Sequence, residues 1–402
     1  MTKNISTQTS DKALRRLDNI FPNRHRQSGH QVTSSPAFTI VELLVVIAVI
    51  GILATITLVS FTGVTSRAKI TVMQSDLSNS SNQLKIYQAF NNSYPTALDG
   101  SNCPTLPVAD NTLCLKTSPN NTYTYTSDGT TFTLTETNTN GTAYGINNTS
   151  SPVALTQPTD CPTGFIPVPG SATYGTAGFC VMKYEAKNVG GVATSQAALT
   201  PWVSISQTSA ITTAAAACTS CHLITEAEWL TIAQNVLSVS SNWNGGVVGT
   251  SYIPRGNSDS SAATDGTTDL TGINKRTLTL TNGQVIWDLA GNVWEWTAGT
   301  STTGQPGVAG NAYASWIEWP NVTTPGTLSP NVFPSGTGIS GASSWNSSNG
   351  IGQLISNPAE TSLRGFFRGG SWTDGSSAGV LTLYLYNSPS NTYSALGFRV
   401  SR

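Results

Sequence analysis

From Ala37 to Leu53 the chain reads AFTIVELLVVIAVIGIL, apolar except for Thr39 and one carboxylate, Glu42. That run predicts an apolar helix long enough to cross a bilayer. A charge within it is costly in hydrocarbon and usually marks a function. Beyond it, Ile70, Met73, Leu77, Leu84 and Tyr87 fall on one face at about 3.6-residue spacing, with Asn and Ser between them. The helix therefore continues as an amphipathic one until Tyr94-Pro95 stops it. Thr122 to Thr126 alternates Thr with Tyr123 and Tyr125, then turns at Asp128-Gly129 into Thr130 to Thr135, a hairpin pattern. Thr225 and Glu228 form a capping box that opens a helix to Val236. From Leu381 the alternation is strict. Leu381, Leu383 and Leu385 are expected to face the core, and Thr382, Tyr384 and Tyr386 the other way.

Composition narrows the class. The chain has 402 residues and a net charge of −1, and only 10% of its residues are charged, against about 25% in typical soluble proteins. Its surface must be polar through Ser, Thr, Asn and Gly. That suits an extracellular protein and gives no electrostatic footprint for nucleic acid. Ten Trp supply material for a real core. The six cysteines all follow the apolar helix, where disulfides are permitted if that side is outside. Proximity pairs Cys103 with Cys114 and Cys161 with Cys180, and leaves Cys218 and Cys221; other connectivities stay open. Cys218-x-x-Cys221 reads as a structural disulfide before a redox or zinc pair, since only His222 is adjacent as a further ligand. His25 and His30 precede the helix, so only His222 follows it. That argues against a Ser-His-Asp hydrolase and a multi-histidine metal site.

The basic leader, the apolar run and Phe38, Thr39 and Glu42 together resemble the class III signal peptide of type IV pilins and type II secretion pseudopilins. The resemblance implies cleavage by a prepilin peptidase between Ala37 and Phe38, although the family usually has Gly where Ala37 stands. It also implies that Phe38 becomes the methylated first residue and that Glu42 meets the terminal amine of a neighbouring pilin subunit. The protein would be a single-pass inner-membrane protein before assembly and then part of an extracellular pilus or pseudopilus. The stretch RAKITVMQSDLSNSSNQLKIYQAFNNSYPTALDG continues that resemblance.

Four later segments are GFCVMKYEAK (Gly178 to Lys187), HLITEAEWL (His222 to Leu230), DLAGNVWEW (Asp288 to Trp296), and the pair RGGSW (Arg368 to Trp372) with GFR (Gly397 to Arg399). In this order they resemble the sulfatase-modifying-factor, or formylglycine-generating-enzyme, family, which has a C-type-lectin-like fold. The expected class is therefore α+β, with a leader at 1–37, a pilin-like helix and small antiparallel sheet at 38–152, a linker at 153–160 and a lectin-like domain with much irregular structure at 161–402.

Enzymes of that family oxidise a substrate cysteine with a reactive, copper-binding thiol pair placed between the Gly-Gly-Ser and Gly-Phe-Arg motifs. Here Thr373 to Leu396 holds no cysteine, and none follows Cys221. The expectation is a binding module and not an oxidase. The family's calcium site would carry over to Asn292 and Glu295, while Trp294, Trp296 and Trp372 are read as core. The candidate binding face is Thr373, Asp374, Ser376, Ser377, Thr382, Tyr384, Tyr386, Asn387, Asn391, Thr392, Tyr393 and Ser394, rich in Tyr, Ser and Asn as antibody paratopes are. This stretch also resembles the variable region of retroelement-diversified proteins; Lys, Glu, Gln, Trp and Met are absent from Thr373 to Arg402. The expected function is a surface-displayed adhesin or receptor binding an extracellular protein or glycan, with a type II secretion pseudopilin as the alternative.

Overall fold

A computed structural model describes the backbone of residues 40–301, 316–318, 347–356 and 362–402. Ala37 and Phe38 lie outside the described residues, as does the leader. The chain divides into two compact units, Met1–Val64 and Thr65–Arg402. A helix, α1, runs Ile40–Asn91. In the first unit its described side chains, up to Leu53, are exposed, and Glu42 stands in the first turn. Among the described residues no helix is long and apolar enough to cross a membrane; residues 54–66, into which the apolar run extends, contribute no described side chains.

In the second unit α1 presents Met73, Leu77, Leu84 and Tyr87 fully buried. They pack on an antiparallel sheet whose order is Asn121–Ser127, Phe132–Asn138, Ala143–Asn147 and Val153–Ala154. Phe132, Leu134, Tyr144 and Ile146 are its contribution to the core. Each such side chain contributes about 1.5–3 kcal/mol by leaving water. The hairpin turn closes because Asp128 Oδ1 accepts from the backbone N–H of Thr130 and Thr131, at 2.8 and 2.7 Å, and Gly129 takes φ +89°.

Residues 153–160, expected as a linker, are tied down on both sides. Val153–Ala154 pairs with the Ala143–Asn147 strand. The Gly170 N–H donates to Leu155 O at 2.9 Å and the Gly178 N–H to Ala154 O at 2.8 Å. Asn147 Nδ2 donates to Ala172 O and Thr173 O, each at 3.0 Å. Asn282 Nδ2 bonds the Gln157 side chain. The run, Val153 to Asp160, has few apolar residues past Leu155, yet the backbone of Val153 to Leu155 is held by neighbours on two sides.

The larger part holds a four-stranded sheet, in the order His222–Leu223, Val400–Ser401, Phe179–Met182 and Phe165–Val168. It also holds a six-stranded mixed sheet, in the order Trp316–Glu318, Gln353–Ser356, Gly379–Leu385, Arg364–Gly369, Trp294–Ser301 and Leu396–Phe398. Two helices pack against these strands. Ser206 caps α2, Gln207–Ala217, by accepting from Ser209 N. Helix α3, Glu226–Leu237, carries the complete Thr225–Glu228 capping box and buries Trp229, Leu230, Ile232, Ala233 and Val236. Disulfides join Cys103 to Cys114, Cys161 to Cys180 and Cys218 to Cys221.

Buried pairs join the four sequence segments. Arg368 of RGGSW meets Glu226 of the α3 segment, NH2 to Oε2 at 2.5 Å. Arg399 of GFR meets Glu295 of the VWEW strand at 2.6 and 3.0 Å. Glu185 of the KYEAK segment accepts from Asn292 Nδ2 at 2.6 Å. Arg276 holds Asp288 through two hydrogen bonds of 2.7 and 2.6 Å. Buried charges persist only when paired and hydrogen-bonded, so the four segments must assemble together.

Candidate functional site

The Gly379–Leu385 strand lies third in the six-stranded sheet, and its neighbours determine which of its side chains reach the surface. Leu381, Leu383 and Leu385 are buried. Tyr384 is half-buried and sits at the centre of an aromatic group. It stacks on buried Phe367, centroids 4.5 Å apart and planes at 18°. Trp294 and Trp316 meet it edge-on at 5.5 and 6.0 Å, and those two indoles are parallel to within 3° at 6.0 Å. Tyr386 continues the row at 6.4 Å and is 40% exposed. The Arg364 guanidinium lies 5.3 Å from the Tyr386 ring centroid, and its NH1 donates to Tyr386 O.

Polar groups border these rings. Asp374 is held by the Ser371 N–H and hydroxyl at 2.6 and 2.5 Å. Burial raises the Asp374 pKa, against the lowering effect of those bonds. Burial likewise raises that of the Tyr384 phenol, with Tyr393, Tyr386 and Asp374 adding to the shift and a hydrogen bond to Asn387 opposing it. Tyr393, 44% exposed, donates to Asn387 Oδ1 at 3.2 Å. The structure therefore brings Asp374, Tyr384, Tyr386, Asn387 and Tyr393 into one cluster. Thr373, Ser376, Thr392 and Ser394 are exposed and Asn391 half-buried, on the turn and the return loop that flank it.

Two expected contact residues are not available. Thr382 is fully buried, and its hydroxyl donates to Ser377 O at 2.6 Å. The strand has no wet face at that point, because Gly352, which lacks a Cβ, lets its segment lie against the Thr382 hydroxyl. Ser377 is 9% exposed and donates to Gln353 Oε1 at 2.7 Å. Conversely, Trp294, Trp316, Phe367 and Arg364 were not in the expected face. Trp294 is indeed buried, at 7% exposure, yet its ring supports the exposed ones. Nothing near Trp316 in sequence signals its role; only the non-local pairing of Trp316–Glu318 with Gln353–Ser356 brings it there.

The expected calcium ligands do not fit a cation. Both Glu295 oxygens are taken by the Arg399 guanidinium, so an ion there would meet a fixed positive charge. Asn292 Oδ1 accepts from Asn257 Nδ2 and the Thr264 N–H at 3.1 and 2.8 Å. Among the described residues no group of three or more His, Cys, Asp or Glu could hold a metal. A pocket of about 500 Å³ is lined by Asp76, Asn79, Ser80, Gln83, Cys114 and Lys116 among others. No aromatic side chain is among those residues, in contrast to the tyrosine face.

Residues 156–402 match the model of the sulfatase-modifying factor enzyme 1-like domain. Among solved structures, Treponema denticola variable protein 1 is similar at 15% identity and TM-score 0.29, over 71% of this chain and 99% of that one. PvdO from Pseudomonas aeruginosa gives 14%, 0.29, 71% and 99% by the same measures. The Major Tropism Determinant P3c variant gives 14%, 0.27, 71% and 72%. No curated protein matches the chain.

Proposed function

The chain belongs to the sulfatase-modifying factor family through residues 156–402, and from that premise we propose that it binds a ligand rather than oxidising a thiol. One observation carries the reading: half-buried Tyr384 stands over a Trp294–Trp316–Phe367 floor, with exposed Tyr386 edge-on to it and Asp374, Asn387 and exposed Tyr393 as polar neighbours. Rigid aromatic rings supply contact area at low entropy cost, and hydroxyl and amide groups beside them supply adaptable hydrogen bonds. The thiol pair that oxidation needs is missing from Thr373 to Leu396, and the six cysteines are all in disulfides. The ligand class is an extracellular protein or glycan.

The test is binding of the chain to arrays of immobilised glycans and of cell-surface proteins, with Trp fluorescence as a second readout. Tyr386→Ala with Tyr393→Ala should abolish capture and leave the near-ultraviolet circular dichroism largely intact. Capture unchanged by the double substitution sinks the reading.

The display element of the proposal is a pilin-like stem. The Ala37–Leu53 pattern with Glu42 supports it, as does the burial of one α1 face on a small antiparallel sheet. N-terminal sequencing of the mature protein checks this part: a start at methylated Phe38 supports it, and a start at Met1 on fibres rejects it. Exposed Thr373, Ser376, Tyr386, Thr392, Tyr393 and Ser394 lie between the buried anchors Arg368 and Arg399. Diversification confined to such positions would change the ligand without touching the core. Sequencing the 3′ end of the gene across a population tests it, and substitutions spread equally over buried Leu381, Thr382 and Leu383 refute it.

A further inference from the structure

Asparagine followed by glycine is open to reaction between the side-chain amide and the next backbone nitrogen, because glycine has no Cβ to crowd the attack or to restrict the turn of the peptide. The sequence holds four such pairs: Asn140-Gly141, Asn244-Gly245, Asn282-Gly283 and Asn349-Gly350. The attacking nitrogen and Cγ are joined through the asparagine's own C, Cα and Cβ, so covalent connectivity brings them into a five-membered ring. The fold decides whether the nitrogen is free and whether its peptide can rotate.

Three of the pairs are held. The Gly283 N–H donates to Leu280 O at 2.9 Å. Asn282 Nδ2 donates to Pro167 O at 2.9 Å and bonds Gln157, while its Oδ1 accepts from Gln284 N at 3.1 Å. The Gly350 N–H donates to Ser347 O at 3.0 Å, and Asn349 Nδ2 to Ser251 O at 2.6 Å. The Gly141 N–H donates to Asn138 O at 3.0 Å, inside the turn that joins Phe132–Asn138 to Ala143–Asn147.

The fourth pair differs. Among the described residues the Gly245 N–H has no hydrogen-bond acceptor. Its neighbours on either side are anchored, Asn244 N–H on Tyr252 O at 2.8 Å and Gly246 N–H on Trp243 O at 2.9 Å. Asn244 to Val248 are exposed. Gly245 and Gly246 stand at φ +87° and +73°, and a Cβ added to either would meet nothing within 4 Å. The Asn244 side chain has one long bond, Nδ2 to Ser251 Oγ at 3.2 Å.

We propose that Asn244 is the chain's site of spontaneous deamidation. The Gly245 nitrogen adds to Asn244 Cγ and loses its proton to water. The Cγ–Nδ2 bond breaks, and the departing nitrogen takes up a proton and leaves as ammonia. Water then opens the cyclic imide at either carbonyl, giving aspartate or isoaspartate. Asparagine and water become a carboxylate and ammonia, with no oxidant or reductant. The product adds one negative charge beside the Ser251 hydroxyl, and the iso form adds one backbone carbon to an exposed glycine loop that has room for it. Neither change involves the tyrosine face.

The experiment incubates the full purified chain in mildly alkaline buffer, folded and in urea. Peptide mass spectrometry with fragmentation then follows the four asparagines. In the folded chain Asn244 should gain about 1 Da first and appear as two isomeric peptides. Asn140 should lag it by about twofold to tenfold, the cost of freeing one hydrogen-bonded N–H, and Asn282 should stay intact longest. In urea the four should react at similar rates. Asn244 reacting no faster than the other three in the folded chain overturns the proposal. A lead that persists undiminished in urea overturns the role given to the fold, and a single aspartate product overturns the cyclic route. Asn244→Ser should delete the first acidic species on isoelectric focusing, and its persistence there also refutes the assignment.

Discussion

Replacing Glu226 with Met tests whether the ion pairs between segments specify the assembly of the module. Glu226 is 5% exposed and Arg368 is fully buried; the pair is bidentate, with NH2 and Nε on Oε2 at 2.5 and 3.0 Å. Glu226 Oε1 also accepts from the Thr297 hydroxyl, and Arg368 NH1 donates to Leu381 O at 3.0 Å. Removing one partner leaves the other buried and uncompensated, which costs about 3–5 kcal/mol, whereas replacing both by apolar groups is often close to neutral. With a urea m-value of about 3 kcal/mol/M, each single variant should lower the unfolding midpoint by about 1–2 M. The double variant, Glu226→Met with Arg368→Met, should recover most of that loss. The assay is urea unfolding under oxidising conditions, followed by Trp fluorescence, with m compared across variants. Single costs below about 1 kcal/mol, or a double cost equal to their sum, would refute the reasoning. Because Arg368 also binds the carbonyl of Leu381, in the strand that carries Tyr384, the singles should lose ligand capture before they lose secondary structure.

Two further outcomes follow from local features. Burial, with Asp76 adding to it, raises the Glu136 carboxyl to about 7, although the Asn121 hydrogen bond works the other way. Its folded value lies above the ordinary 4.5. The stability it contributes is therefore fully present below pH 4.5 and is lost as pH rises through about 7. Glu136→Gln should flatten thermal stability across that window, and an unchanged slope would show that another group titrates. Thr225→Ala removes the hydroxyl that caps α3 through Glu228 N at 3.2 Å and should cost about 1 kcal/mol in urea unfolding; no measurable loss would mean that Glu228 caps the helix alone.

The features legible in sequence are those set by near neighbours. The α1 face from Met73 to Tyr87, the Asp128 turn and the Thr225 capping box depend on residues a few positions apart, and periodicity or cap chemistry reveals them. The six-stranded sheet is different. Gln353–Ser356 pairs in parallel with Gly379–Leu385, so Leu354 lies beside Leu383, and no local pattern announces such a partner. Thr382 was misread for that reason: alternation assigns it a face but cannot say that Gly352 closes it off. Asn292 and Glu295 offered oxygen atoms for a cation, and the occupants of those oxygens, Arg399, Asn257 and Thr264, come from elsewhere in the chain. Trp294 was read as core. The structure agrees on its burial and adds its place beneath Tyr384.

The sheet order has a consequence for how the protein is made. The strand Val400–Ser401 lies between His222–Leu223 and Phe179–Met182, and the Arg402 and Cys180 N–H groups each donate to the other residue's carbonyl at 2.9 Å. During synthesis those two earlier strands have no neighbour on that side until Val400–Ser401 emerges. Their unpaired backbone groups are then open templates for the wrong partner, another nascent copy included. Pairing so distant in sequence is also slow to form. Completion of this sheet therefore waits on that strand, and truncation before Val400 should leave a chain that aggregates on refolding in proportion to its concentration.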